Sequence, residues 1–339
     1  MMNLFELART LVDIESITNH ESAVGSFLFD LLTGMVRASR PQGRIERCEV
    51  ESGRFNVFAC WGVPVVTLST HMDTVPPFFA SREDDEHIWG RGSADAKGII
   101  ASMIGAAEAL LNSDVSNFGL LFVVGEERNS AGALAAARDP RGSRFLINGE
   151  PTENKLALGT KGALRYEIRA TGRAAHSAYP ELGESAIEKV LDALAAIRKI
   201  PLPEDALLGR STLNIGVVSG GVAPNVIPED AKAEILIRLV GDPAPVRDSI
   251  GRAVAGYAEA REVLCIPAVH FDALDGFETT VVSFTTDVPA FGGAWGKPFV
   301  IGPGSIHVAH TSGEHITKKQ ILEAANIYER MVKQLLASA

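Results

Sequence analysis

The sequence predicts an α/β fold: a mixed, mostly parallel sheet with helices on both faces, interrupted by an inserted α+β domain. Three observations carry that prediction. From Val63 to Glu150, apolar runs that end in polar turns alternate with helical patterns, the rhythm of a parallel sheet. The pattern then changes to apolar–polar alternation, at Leu164, Tyr166, Ile168 and Ala170 and again at Ala233, Ile235, Ile237 and Leu239, as in half-exposed antiparallel strands. Near Thr279 the first pattern returns. Residues 1–158 and 273–339 are therefore expected to form one domain, and residues 159–272 a domain inserted into it.

Taken in order, Leu4, Leu7, Ala8, Leu11 and Val12 recur at helical spacing. Thr18-x-x-Glu21 resembles a capping box opening a second helix through Phe27, Leu28, Leu31 and Met35. Short β-rich runs follow at Ile45 to Val50 and Asn56 to Trp61. Val63 to Leu68 reads as a buried strand breaking at Ser69, so that His71 and Asp73 sit just beyond its carboxyl end, where open α/β sheets place ligand groups. A small-residue helix spans Ile99 to Leu111. The strand Leu120 to Val124 ends at Gly125-Glu126-Glu127, and a helix from Ala131 to Ala137 precedes the strand Phe145 to Ile147, which ends at Asn148-Gly149-Glu150. In the inserted domain Leu213, Ile215 and Val217 give a third alternating strand. One amphipathic helix carries Ile187, Val190, Leu194 and Ile197, another Val246, Ile250, Val254 and Tyr257. The chain closes on a helix through Ile321, Ala325, Tyr328 and Val332, with Thr317-x-x-Gln320 as its capping box.

Composition narrows the function. At 339 residues and 46% hydrophobic, the chain can bury a large core. Its net charge of -10 and scattered basic residues offer no stripe for nucleic acid or an anionic membrane. Cys48, Cys60 and Cys265 lie far apart, which argues against a disulfide framework and a cysteine zinc site. Met1 to Thr10 includes Glu6 and Arg9 and lacks a signal peptide's apolar centre, and no segment reaches the length of a membrane span. The expected location is cytoplasmic.

The chemistry gathers at strand ends. His71, Asp73, Asp95, Glu126, Glu127 and Glu150 each follow a strand or lie in a Gly-rich turn, and His307, His310 and Glu314 surround the later turn Gly302-Pro303-Gly304-Ser305. Each alone has a plain explanation: Asp95 as a helix cap, Glu126-Glu127 as a solvated turn. Together, so many carboxylates at one sheet edge would repel one another. A divalent cation relieves that repulsion, and carboxylates with imidazoles suit zinc, cobalt or manganese. A His followed two residues on by a carboxylate also suits a ligand and the group that orients it.

The strings THMDTVPP, WGRGSADAKG, GEERNSAGA, LINGEPTEN, GRAAHSAYP, GGVAPNVIP and AHTSGEHI resemble, in order and spacing, the successive motifs of the M20 metallopeptidase family, closest to its acetylornithine deacetylase and succinyl-diaminopimelate desuccinylase branch. The resemblance implies two divalent metal ions, zinc first, with cobalt or manganese as alternatives. Asp95 would bridge them, His71 and Glu150 completing one site and Glu127 and His310 the other. It selects His310, with Glu314 four residues on, over His307. It implies Glu126 as general base, Asp73 as the group orienting His71, and a cis bond at Asp95-Ala96. His176 would stabilise the oxyanion in a partner subunit's site, so the inserted domain would serve as lid and dimerisation domain of a homodimer. Arg238 and Asn225 would grip the substrate carboxylate. The implied reaction is removal of an N-acyl group from a small amino acid with a free carboxylate, a step of amino-acid biosynthesis. A dipeptidase or carboxypeptidase acting on short peptides, or a hydrolase releasing an amino acid from an acidic carrier protein, is the alternative. A non-catalytic binding protein of the same fold is disfavoured by the intact Glu126. Arg128 and Ser312-Gly313 depart from the family's usual residues and border the pocket, so they bear on substrate identity.

Overall fold

The computed structural model describes residues 3–339. Met1 and Met2, the start of the N-terminal segment read above, lie outside the described residues. The chain divides into two compact units. One takes the chain up to Leu158 with Phe271–Thr280 and Thr286–Ala339; the other is Gly159–His270 with Val281–Thr285. The return falls at Phe271, whose N–H donates to Leu158 O at 2.8 Å, slightly before the expected residue 273.

In the first unit the sheet runs Arg44–Glu51, Arg54–Trp61, Phe118–Val123, Val66–His71, Phe145–Asn148, Lys297–Val300, Leu156–Thr160. Only the four strands from Phe118–Val123 to Lys297–Val300 are mutually parallel. Antiparallel strands flank them on both sides, so the sheet is mixed and parallel only at its centre. Side chains alternate between its faces. Leu120 and Phe122 enter the large core with residues of the helices Leu4–Asp13, Ser22–Ala38, Gly98–Asn112 and Lys318–Ala337. Leu121 and Val123 pack on the other face with Ala133, Ala136, Phe291 and Trp295. Helices thus cover both faces.

Three local readings change. The strand Val66–His71 starts later than its apolar run, because Val63 is 71% exposed, and it continues through Ser69 and Thr70 to include His71. Thr70 is accommodated there because its hydroxyl finds a partner, Oγ1 donating to Gly149 O at 2.8 Å. Thr18 and Glu21 are not a capping box. The helix begins at Ser22 with no side-chain cap; Thr18 donates to Asp73, and both Glu21 oxygens bind Arg54 at 2.6 and 2.9 Å. Tyr257 lies outside its expected helix, which ends at Val254, and is 44% exposed. At the carboxyl end of the chain, Thr317 does cap its helix, accepting from the Gln320 N–H at 3.1 Å.

The second unit is an antiparallel sheet in the order Thr212–Gly220, Asp230–Leu239, Gly162–Thr171, Glu259–Ile266. The alternating residues Leu164, Ile168, Ala233, Ile235 and Ile237 are buried with Val190 and Leu194 of the helix Ala186–Ile197 and Val246 and Ile250 of the helix Ala244–Val254. The strand Glu259–Ile266 escaped the sequence reading because its mostly exposed residues show no clean apolar alternation.

Candidate metal centre

His71 ends the central strand Val66–His71, and Glu126 and Glu127 follow the neighbouring strand Phe118–Val123. Glu150 follows the strand on the other side, Phe145–Asn148. Three adjacent parallel strands thus deliver four groups to one edge. Asp95 comes from the turn before the helix Gly98–Asn112, where the peptide Asp95–Ala96 is cis. Glu314 holds that turn: its Oε1 accepts from the N–H of Ala94 (3.3 Å) and of Asp95 (3.2 Å), while Oε2 takes Arg91 Nη1 at 2.5 Å.

Asp95 lies between two imidazoles. Its Oδ1 is 2.9 Å from His71 Nε2 and its Oδ2 is 3.3 Å from His310 Nε2, which also stands 3.0 Å from Glu127 Oε1. One ligand atom each from His71, Asp95 and Glu127 lies within 4.8 Å of the others. His310, in left-handed backbone with φ 63°, supplies this ring; His307 is exposed and does not join the group.

The charges do not balance. His71 Nδ1 is 3.0 Å from the Asp73 carbonyl oxygen, an acceptor, so that nitrogen carries the proton. In a neutral ring, Nε2 would then turn a lone pair on the Asp95 carboxylate. Either a second proton or a cation must lie between them. Burial opposes the charge on His71, but Asp73 and Asp95 outweigh it and raise its pKa well above the ordinary value. Hydrogen bonds to Asp95 and Glu127 push His310 up to about 10. Burial also works against the charge of Asp95, yet His310 and His71 hold its carboxyl well below the carboxylate range.

The other acids go the opposite way. Burial, then the charge of Glu150, raises Glu126 well above its usual value; burial, with Asp95 adding to it against His71, does the same to Glu150. Glu150 is 3% exposed and its Oε1 has no hydrogen-bond partner among the described residues. A buried carboxylate oxygen aimed at no donor, beside imidazoles set against carboxylates, fits a cation site better than an apo resting geometry. The residues present therefore suit the implied metal pair.

Asp287 was missed. It is 1% exposed, and neither of its oxygens meets a donor in hydrogen-bond geometry among the described residues. Burial pushes it up to about 7, with Ser130 and His71 offsetting part of the cost and Asp73 and Glu127 adding to it. In sequence, Thr286-Asp287-Val288-Pro289 reads only as a helix start, so no local signal could have found it.

His176, Asn225 and Arg238 all lie in the second unit. His176 sits on the short strand Ala175–His176, paired with Val226, and Asn225 O accepts from the Ser177 N–H at 3.0 Å, so His176 and Asn225 are neighbours. The Ala178 N–H donates to His176 Nδ1 at 3.1 Å, leaving the ring proton on Nε2 as an available donor. Arg238 faces Ala163 and Thr212 across its strand, half-buried and without an ion-pair partner among the described residues; burial lowers its pKa.

Comparison with known proteins bears on this arrangement. The model of Peptidase family M20/M25/M40 matches residues 67–334. A protein of Aspergillus terreus named "Probable carboxypeptidase" is 39% identical over 366 residues, covering 96% of this chain and 84% of its own. The crystal structure of an M20 family metallo-carboxypeptidase from Sulfolobus solfataricus superposes with a TM-score of 0.80 at 16% identity, covering 99% of both chains. That of a dinuclear metal-binding M20 peptidase from Bacillus subtilis gives 0.70 at 17%, covering 99% of this chain and 98% of the other. At those identities the two structures speak for the fold.

Proposed function

The chain belongs to peptidase family M20/M25/M40 and is a hydrolase of amide bonds; from that premise we propose that it is a two-metal exopeptidase of the carboxypeptidase type, cleaving the amide bond that precedes an amino acid with a free carboxylate. The observation that carries the hydrolytic reading is Asp95, with one oxygen toward His71 and the other toward His310. The carboxypeptidase direction is supported by the name of the Aspergillus terreus relative. The second reading, favoured by the motif strings, is deacylation of an N-acyl amino acid as in the acetylornithine deacetylase and succinyl-diaminopimelate desuccinylase branch. Both leave an amino acid with its carboxylate free.

His71 and Glu150 would hold one ion and Glu127 and His310 the other, with Asp95 shared; zinc suits these donors first, and cobalt or manganese also fit. Bound there, the ions supply Lewis-acid polarisation of the scissile carbonyl and an acidified water. Glu126 does the proton work. Its carboxyl, raised by burial and by Glu150, accepts the water's proton and returns it to the leaving amine. In a homodimer the His176 Nε2–H would be the donor for the oxyanion developing in the partner subunit's site. Arg238, half-buried and without an ion-pair partner among the described residues, is suited to a bidentate grip on the substrate carboxylate, helped by Asn225. The second unit's edge strand Thr212–Gly220, with Val217 and Val218 45% and 52% exposed, is suited to pairing with another copy of the chain, as a homodimer requires.

The test is a hydrolysis panel with added zinc or cobalt: dipeptides and N-terminally blocked dipeptides, N-acetylornithine, N-succinyl-diaminopimelate and other N-acyl amino acids. Preference for the blocked dipeptides supports the carboxypeptidase reading, and preference for one N-acyl amino acid supports the deacylase reading. No hydrolysis in the whole panel overturns both. Arg238→Ala is expected to raise KM about 10–100-fold, the loss of a charge-assisted pair, with kcat changed less than about threefold. Substrates whose carboxylate is amidated should not feel the change; equal loss on both would remove the carboxylate grip.

A further inference from the structure

Asp73 is fully buried, and its carboxylate accepts from every direction it can. Oδ1 takes the amide N–H of Gly125 (3.0 Å) and of Glu126 (3.1 Å). Oδ2 takes the amide N–H of Glu127 (3.2 Å) and the hydroxyl of Thr18 (2.8 Å). An ionised carboxylate has about four lone-pair sites, so this one is full. His71 correspondingly points Nδ1 at the main-chain carbonyl of Asp73, 3.0 Å away, while the nearer carboxylate oxygen stands off at 3.6 Å. The backbone of Asp73 orients His71. Its carboxylate orients the turn that carries Glu126 and Glu127.

Thr18 is the side-chain donor in that set, and it is itself fixed. Its own N–H donates to Thr74 O at 3.1 Å, and the Thr74 N–H donates back to Ser16 O at 3.0 Å. Lys97 Nζ anchors the same segment through Ile14 O at 2.6 Å. A hydroxyl held this way bonds Asp73 Oδ2 in the torsion in which both oxygens face the three amides of the turn. Gly125 gives the turn its shape: φ is +82°, and a Cβ there would stand 2.9 Å from Arg54 Nη2.

We infer that Thr18 is a positioning residue which, through the Asp73 carboxylate, holds the turn Gly125-Glu126-Glu127 and so aims the base and its neighbouring ligand. The inference rests on the reading of Glu126 as base, and its test separates the two. Thr18→Val keeps the shape and loses the donor; Thr18→Ser keeps the donor. Amide hydrogen exchange at residues 125–127 is measured in the metal-free and metal-loaded full-length protein, with kcat and KM on the best panel substrate. In Thr18→Val, exchange at the turn should rise roughly tenfold, as for one charge-assisted hydrogen bond lost. Its kcat should fall about 5–20-fold while KM stays within about twofold, because a misaimed base slows chemistry more than binding. Thr18→Ser should restore both. Unchanged exchange in Thr18→Val, raised exchange without loss of kcat, or a serine variant no better than valine would each overturn the inference. Glu126→Gln run beside them judges the base alone. If it keeps full activity while Thr18→Val still loosens the turn and lowers kcat, the base assignment falls and the role of Thr18 stands.

Discussion

Glu126→Gln is expected to lower kcat by about 10²–10⁴-fold, the usual worth of a positioned general base, with metal content unchanged. The amide matches the carboxylate in shape but cannot take a proton. The substitution is clean because the Glu126 side chain makes no hydrogen bond among the described residues, while its backbone N–H stays on Asp73 Oδ1 at 3.1 Å. Glu127→Gln is the contrasting control: its Oε1 is 3.0 Å from His310 Nε2, so that change should empty part of the centre. Steady-state kinetics and metal analysis of the two variants read the difference. Unchanged turnover in Glu126→Gln would remove it as the base, and equal metal loss in both would merge the two roles.

Removing metal with a chelator should abolish turnover and make stability depend steeply on pH. Each group concerned has its folded pKa raised: Glu126 and Glu150 by burial, Asp287 by burial to about 7, His310 by Asp95 and Glu127 to about 10. The folded chain therefore binds protons that the unfolded chain has already released. Stability then falls as pH rises, beginning above the ordinary carboxyl value near 4.5 and continuing up to about 10 as His310 titrates. Asp73 and Asp95, whose pKa values are lowered, add their stability above the acid range and stay constant across this window. Refilling with zinc, cobalt or manganese replaces those protons and should flatten the curve while restoring activity. Thermal melts of apo and reloaded protein between about pH 5 and 9 check it. A metal-free protein as active, and as insensitive to pH, as the loaded one would refute the cation site.

Much of this was legible in one dimension. Periodicity placed the helices Gly98–Asn112 and Ala131–Ala137 and the alternating strands of the second unit, because each buries one face and must repeat with its own period. Motif order gave candidates for the centre, since each of these groups follows a strand or lies in a Gly-rich turn that can be read locally. What failed locally is informative. Thr18 and Glu21 had the spacing of a capping box, but buried partners, Asp73 and Arg54, claimed both side chains.

The sequence by itself determined most of the element types, the family and the residues able to hold a cation, because hydrophobic period and ligand chemistry are written residue by residue. Only the tertiary structure decided that the sheet is parallel just at its centre, that Asp287 lies buried beside the centre, and that the Asp73 carboxylate takes three amides of the turn after Val124. Those outcomes depend on which donors arrive within about 3 Å of which acceptors, and that is settled by packing between segments far apart in the chain.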